Sequence, residues 1–317
     1  MEKYKTELLI TGATGFIGTN LQESLKERGF NKFVPVSSRD FDLTDQKQVK
    51  LMFKKYKPEK VIHLAALVGG ILANKLYPGD FCYKNLIINT NTIHEAMLNK
   101  VKKFMTLIGG CSYPANAPNP IKEEYLWDGY PQKESAPYSI AKKMALVQLQ
   151  AYRQQYNFNG IVLIPGNVYG PYDNFSLQNS HVIPGLIHKF YNAKKNNEKE
   201  VIVWGSGKPV RDFIFVKDVT DCLVKAFETY DDEQPINIST GTKTSIKELV
   251  ELISSLSDYK GEIKWDTSKP DGQMEKIFDV TRMKTKLKFT PKVSIKEGIK
   301  RTIEWFEKNI KLGKVRI

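Results

Sequence analysis

"ELLITGATGFIG", residues 7–18, decides the fold. A short apolar run reads as a buried strand and ends in glycine, and the next residues take up helical spacing. Gly12, Gly15 and Gly18 are three apart across the junction. Gly12 permits the tight turn, Gly15 lets backbone approach a pyrophosphate, and Gly18 lets the helix pack on the strand. The helix N-terminus then presents free N–H groups to phosphate. Glycine-spaced turns also occur by chance; what gives this one weight is its position after the first strand of an alternating pattern.

That alternation continues outward from the loop. "KFVPVS" (32–37), "KVIHLAA" (60–66), "KFMTLIGG" (103–110) and "GIVLIPGN" (160–167) read as further buried strands. Between them "IGTNLQESLKERG" and "DQKQVKLMFKKYK" have helical spacing, with stops at Gly29 and Pro58, and "NLIINTNTIHEAMLNK" and "APYSIAKKMALVQLQAYRQQYN" are also helical. Strands alternating with helices imply a Rossmann-type, doubly wound parallel sheet in an α/β protein. After about Pro165 the loops become rich in Gly, Asn and Pro, so a smaller α/β substrate domain is expected over 166–317, beyond a cofactor domain over 1–165. "FIFVKDVTDCLVKAFETY" looks like a return to the first domain, near 213–240, and "SIKELVELISSL" and "SIKEGIKRTIEWFEKNI" are amphipathic helices with serine starts.

The chain has 317 residues, too many for one small core, with 41% hydrophobic and 26% charged residues, ordinary for a globular protein. No apolar run is long enough to cross a bilayer, and the N-terminal "MEKYKTELLITG" lacks the apolar core of a signal peptide. Cys82, Cys111 and Cys222 have no metal-ligand spacing; reduced thiols in a cytoplasmic protein, with no metal, are the expectation. The net charge of +13 fits either a nucleic-acid surface or a lysine-rich surface with a few cations aimed at phosphorylated ligands. The lysines are scattered among acids, and no aromatic-interleaved basic stretch occurs, which favours the second reading.

The residue past the second strand selects the dinucleotide: an acid binds the ribose 2′-hydroxyl, an arginine accepts a 2′-phosphate. The sequence there is "VSSRDFDLTD", in which Ser37, Ser38 and Arg39 precede Asp40. Arg39 argues for NADP(H), against the alternative of a surface arginine at a strand end, and "DFDLTD" is expected to pack near the adenine. About a hundred residues later "YSIAK" places Tyr138 and Lys142 one helical turn apart. Alone the pair is most often accidental. Beside a dinucleotide site it acquires roles: the tyrosine protonates the alkoxide formed by hydride attack, and the lysine ammonium favours the phenolate and holds the nicotinamide ribose.

With these motifs the chain resembles the extended short-chain dehydrogenase/reductases, and more closely the GDP-L-fucose synthase family, the GDP-4-keto-6-deoxymannose 3,5-epimerase/4-reductases. "HLAALVGGILAN", "CSYP", "PYSIAK", "PGNVYGPYDNF", "NSHVIPGLIHKF", "VWGSGKPVRDF" and "KPDGQMEK" occur in the family's order over nearly the whole chain. The resemblance implies NADPH-dependent C4-keto reduction of a GDP-4-keto-6-deoxy sugar, with Tyr138 as proton donor and Lys142 as its helper. Cys111 and His181 match the family's base and acid for epimerisation at the carbons flanking the ketone. Gly12, Thr14, Gly15, Phe16, Ile17, Gly18, Ser38, Arg39, Asp42, Leu43, Ala65 and Lys142 are the implied cofactor contacts. Lys189, Arg211 and Lys276 match cations near the diphosphate; Trp204 and Asp271 match residues beside the GDP-sugar, and Asn167 an active-site asparagine. Without the resemblance, Cys111 reads as a buried strand thiol, His181 as a loop histidine and each cation as a solvated charge. A homodimer through the helix carrying Tyr138 is also implied.

The pattern breaks in "GGCSYP". Where the family has a serine whose hydroxyl binds the keto oxygen, this chain has Gly109, and Gly110 follows where the family has another small hydroxyl residue. On a strand, Ser112 would point away from Cys111 and Gly109. The loss removes one hydrogen bond to developing charge and opens space near the sugar. A C4 reductase acting on a GDP-6-deoxy-heptose, without epimerisation, is therefore a second expectation, and a catalytically weakened nucleotide-sugar binding protein a third.

Overall fold

The computed structural model describes residues 7–317. Its first part runs β1 (Leu8–Thr11), α1 (Phe16–Glu27), β2 (Phe33–Val36), α2 (Gln46–Tyr56), β3 (Lys60–His63), α3 (Ile71–Leu76), α4 (Pro78–Leu98), β4 (Lys103–Leu107), α5 (Ala136–Tyr156) and β5 (Gly160–Pro165). The helices end for local reasons. The Gly29 N–H donates to the Lys26 carbonyl after α1, with φ at +77°. Asp45 caps α2 by accepting from the Lys47 N–H at 2.8 Å, and left-handed Lys57, just before Pro58, closes it. α4 starts seven residues ahead of the expected "NLIINT…" helix because Pro78 occupies its first turn, where a missing N–H costs nothing.

The second part runs β6 (Asn167–Tyr169), α6 (Val182–Lys195), β7 (Glu200–Trp204), β8 (Val210–Arg211), β9 (Phe213–Phe215), α7 (Val216–Thr229), β10 (Ile236–Ile238), β11 (Thr244–Ser245), α8 (Ile246–Leu256), β12 (Glu262–Asp266), β13 (Glu275–Lys276), α9 (Thr281–Lys286) and α10 (Ile295–Ile310). Six strands form one parallel sheet in the order β10-β5-β4-β3-β1-β2. Within it β9 has no place: it pairs with β6 in a separate two-stranded piece, while α7 and β10 belong to the main layer.

Strand alternation divides the core. Leu9, Val61, Phe104 and Val162 face α2, α4 and α5 in one cluster. Leu8, Ile10, Ile62, Met105 and Ile161 face α1, α7 and α9 in another. A third core, of Ile187, Phe190, Val201, Leu249, Ile253, Ile299 and Phe306, holds α6, β7, α8 and α10 together. Ser245 and Glu248 form a reciprocal capping box at α8, and Ser294 caps α10. The loop 170–175 is the seam. The Asn20 amide donates to the Pro171 carbonyl at 2.9 Å, the Tyr172 hydroxyl to Glu23 at 2.8 Å, and the Phe175 N–H to the Arg316 carbonyl at 2.8 Å. Among the described residues no helix is long and apolar enough to cross a membrane.

Candidate active site

The glycine loop is shaped by backbone contact. Gly12 has φ at +67°, and a Cβ there would lie 2.6 Å from the Ala65 nitrogen and the Leu64 carbonyl carbon, at the end of β3. The Gly15 N–H donates to the Gly12 carbonyl at 3.0 Å, and a Cβ on Gly18 would lie 2.3 Å from that same oxygen. Thr14 is exposed at the tip, and Phe16 and Ile17 open α1 with no acidic residue in its first turn. Such a cradle, closed to any side chain and ending in a helix N-terminus, fits a dinucleotide pyrophosphate.

Past β2, Asp40 accepts from the Ser37 N–H at 2.8 Å and the Ser37 hydroxyl at 2.7 Å. These bonds hold its carboxyl below the usual range and commit it to Ser37. Ser38 and Arg39 are exposed, and the Arg39 guanidinium has no protein partner among the described residues. Asp42 is likewise committed to the Thr44 N–H and hydroxyl, at 2.9 and 2.7 Å, while Leu43 is buried and presents its carbonyl to Asn91. Among the described residues Arg39 is thus left as an unpaired cation at this edge, which suits a 2′-phosphate.

Tyr138 lies in the first turn of α5, its ring edge-on to Phe81 at 6.1 Å, and Lys142 follows one turn later, nearly fully buried. Burial holds the Lys142 ammonium down at about 8. Burial, and then the charge at Cys111, pushes the Tyr138 hydroxyl well above its ordinary range. The direction is opposite to the lowering expected from the lysine, and its leading cause is burial.

β4 ends at Leu107, earlier than the strand expected over 103–110, and Gly110–Ser112 form a single 3₁₀ turn. Ser112 is therefore not on a strand. Its hydroxyl donates to the Ser139 carbonyl at 3.3 Å, and the Ser139 hydroxyl donates to the Cys111 carbonyl at 3.1 Å. This reciprocal pair clamps the turn onto α5 and fixes Cys111 relative to Tyr138. A Cβ at Gly109 would lie 3.1 Å from the Cys111 Sγ and 3.8 Å from Tyr138 Cε1, so the missing hydroxyl belongs between thiol and phenol. The space there is narrow rather than open. Neither neighbouring serine replaces that hydroxyl, since both are committed to backbone carbonyls.

Beneath these groups lies a feature the sequence reading missed. His63, fully buried at the end of β3, hydrogen-bonds the Thr11 hydroxyl at 2.7 Å and the Asn89 amide oxygen at 3.2 Å. Burial, and then the Lys142 charge, hold its imidazole neutral, down at about 3. The signal was present in "NLIINTNT": Asn85 and Asn89 are one turn apart on the buried face of α4, and a buried asparagine demands polar partners.

The remaining positions fall into two groups. In the inner group, Lys276 stands opposite Arg211 in the β13–β8 pairing, and the Asn167 amide donates to the Asp212 carbonyl at 2.8 Å. Cys111 is a charge neighbour of Tyr138, Lys142 and Lys276. The outer group lies on β7 and the loop after it. The Lys189 ammonium donates to the Ile202 carbonyl, and Trp204 is 69% exposed with the Lys269 ammonium 5.7 Å from its ring centre. Asp271 closes this loop, accepting from the Ser206 N–H at 2.6 Å and the Ser206 hydroxyl at 2.7 Å. His181 is exposed at the residue before α6, and its loop abuts the start of α3, where a Cβ at Gly70 would lie 3.2 Å from the Asn179 carbonyl oxygen. Cys82, Cys111 and Cys222 are all free thiols, and no metal-ligand cluster occurs among the described residues.

A glycine cradle and a Tyr–Lys pair at the carboxyl ends of one parallel sheet define a dinucleotide-dependent enzyme of the short-chain dehydrogenase type. The chain belongs to the NAD dependent epimerase/dehydratase family, whose pattern it matches over residues 8–239. It is similar to GDP-L-fucose synthase 1 of Arabidopsis thaliana, at 39% identity over 310 residues, covering 98% of this chain and 96% of the relative. Its fold is similar to that of a GDP-L-fucose synthetase from Naegleria fowleri bound to NADP, with a TM-score of 0.92, 30% identity and coverage of 99% and 97% of the two chains. A GDP-mannoheptose C4 reductase from Campylobacter jejuni with NADP bound matches with a TM-score of 0.87 and 32% identity, over 97% of this chain and 100% of that one.

Proposed function

We propose that the protein is an NADPH-dependent reductase of a GDP-4-keto-6-deoxy sugar, hexose or heptose, acting after epimerisation at C3 and C5. The observation that carries this reading is Cys111, Tyr138 and Lys142 gathered at one end of a sheet whose first turn is a dinucleotide cradle. In this reading residues 1–165, with the return near 213–240, hold the cofactor, and 166–317 mainly hold the nucleotide sugar. NADPH supplies the hydride to C4. Tyr138 gives its hydroxyl proton to the alkoxide oxygen, and Lys142 orients the ribose and offsets the charge left on the phenolate. For epimerisation, the Cys111 thiolate takes the proton from a carbon flanking the ketone. The C–H bond breaks, an S–H bond forms and the electron pair passes into the enolate; His181 returns a proton on the opposite face. Arg39 takes the 2′-phosphate, Arg211 and Lys189 the diphosphate side, and Trp204 and Asp271 flank the substrate. The exposed Tyr83 and Leu98 on α4, with Met144 and Val147 on α5, favour a homodimer through these two helices; a cytoplasmic location is part of the same reading.

Purified protein should consume NADPH with GDP-4-keto-6-deoxymannose or its heptose counterpart, and no loss of NADPH absorbance with either would reject the assignment. In deuterated water, C3 and C5 hydrogens should exchange without NADPH. Cys111→Ser and His181→Gln should suppress that exchange, whereas Tyr138→Phe should spare it and slow reduction by at least about 100-fold. Gly109 favours a second reading, a C4 reductase working behind a separate epimerase, and reduction without any carbon-bound exchange would establish it.

A further inference from the structure

The loop that ends at His181 is cross-bonded along its length. Phe175 is fully buried, its ring 4.7 Å from Phe306 and stacked at 5.9 Å on Trp305, both on α10. Its backbone is held on both sides. The N–H donates to the Arg316 carbonyl at 2.8 Å, and the carbonyl accepts from His188 Nδ1, on α6, at 2.8 Å. A carbonyl can only accept, so Nδ1 carries the proton, and the imidazole also packs against Phe306 at 5.4 Å. From this pin the chain folds back on itself. The Ser176 N–H donates to the Asn174 side-chain oxygen at 3.0 Å, and the Asn179 and Ser180 N–H groups donate to the Ser176 hydroxyl and carbonyl, at 3.3 and 3.1 Å. The end of the loop is equally tight: a Cβ at Gly185, near the start of α6, would lie 2.7 Å from the Ser180 hydroxyl. His181 makes no side-chain cap to α6, so its ring is placed by the backbone that carries it. An acid returning a proton to one face of a carbon tolerates little displacement, whereas a surface loop is mobile unless it is tied down. Without the His188 donor the Phe175 carbonyl would be a buried acceptor lacking a partner, a cost that movement of the loop relieves.

We propose that His188 is a positioning residue for His181. Through the Phe175 carbonyl it pins the loop to α10 and the C-terminal segment, and so fixes where the epimerisation acid stands. This rests on the assignment of His181 as that acid. His188 exchanges no proton with the sugar; its Nδ1–H stays on the carbonyl, and the proton returned to carbon comes from His181.

The test separates proton return from hydride transfer. Deuterium incorporated at C3 and C5 of the inverted sugar in deuterated water reads the first. NADP+-dependent oxidation of the reduced sugar product, which uses Tyr138 and Lys142 but needs no epimerisation, reads the second. His188→Leu removes the donor; it should slow inversion at least about ten-fold and leave the oxidation within about three-fold. His188→Asn, whose Nδ2 stands where the imidazole Nδ1 stands, should restore inversion. Ending the chain at Val315 removes the Arg316 carbonyl from the other side of Phe175 and should act as His188→Leu does. Both changes should speed amide deuterium uptake in the peptide spanning 174–181. Wild-type inversion in His188→Leu overturns the proposal, as does equal loss of inversion and oxidation, which marks general damage, or failure of His188→Asn to restore inversion. If His188→Leu does not fold, the shortened chain is read in its place. If wild-type protein inverts nothing, or His181→Gln inverts as fast as wild type, the acid assignment is what fails and the proposal falls with it, so the two failures are read from different proteins.

Discussion

Arg39 is a long, exposed cation with no side-chain partner among the described residues, at the edge of a cradle suited to phosphates. Because Asp40 is already committed to Ser37, no acid competes for a ribose hydroxyl at this point. Arg39→Ala should weaken NADPH binding by about 10-fold to 100-fold, the range of a charge-assisted contact, and change NADH binding little. Equal losses in fluorescence titrations with the two cofactors would show that the guanidinium does not read the 2′-phosphate. Residue identity was legible here because the cradle and the basic residue lie close in sequence. The upward push on the Tyr138 hydroxyl was not legible, because it comes from burial in the folded chain and from Cys111, neither of which is encoded within "YSIAK".

At the scale of single elements, the β1–α1 turn works because its glycines leave no room. Gly12→Ala would add a carbon 2.6 Å from the Ala65 backbone in a left-handed conformation. It should lower stability by about 1–3 kcal/mol, as overpacking does, and abolish cofactor binding, measured by thermal unfolding with and without NADPH. A variant that binds NADPH normally would show the loop to be more yielding than its contacts indicate. Elements with local punctuation were readable from sequence: α1 stops at Gly29, α2 stops ahead of Pro58, and α8 starts at its serine. The 3₁₀ turn at Gly110–Ser112 was not, since what bends the chain out of β4 is the long-range fit of Phe278 against Gly110 and of Ser139 against Cys111. The segment read as a return to the first domain enters through β9, which pairs with β6 rather than with the main sheet.

Across the whole molecule, the loop 170–175 joins α1, α10 and the C-terminal segment, and it contains a buried carboxyl, Asp173. One of its oxygens accepts from the Asn174 N–H at 2.7 Å; the other has no partner in the structure. Burial raises this carboxyl to about 7, against the opposing pull of the Asn174 bond and Arg316. A folded-state value above the unfolded one means that the folded protein binds the extra proton, so stability is full below about 4 and falls as pH rises toward about 7, by at most roughly 4 kcal/mol. Asp173→Asn should flatten that decline in denaturant melts taken between those limits; an unaltered slope would place its origin elsewhere. The strand order of the sheet has a further consequence, for synthesis. β10 closes the edge beside β5, and α7 covers the face opposite α5, yet both emerge from the ribosome only after β6 to β9 and α6. Until then the nascent chain exposes an unpaired β5 edge and the apolar row Leu8, Ile10, Ile62 and Met105, a combination prone to self-association. A fragment ending at Pro165 should therefore collect in the insoluble fraction when expressed alone, and a soluble, cooperatively melting fragment would contradict this. The two lobes are thus one folding unit by order of arrival, and the cofactor half waits for the substrate half to be made.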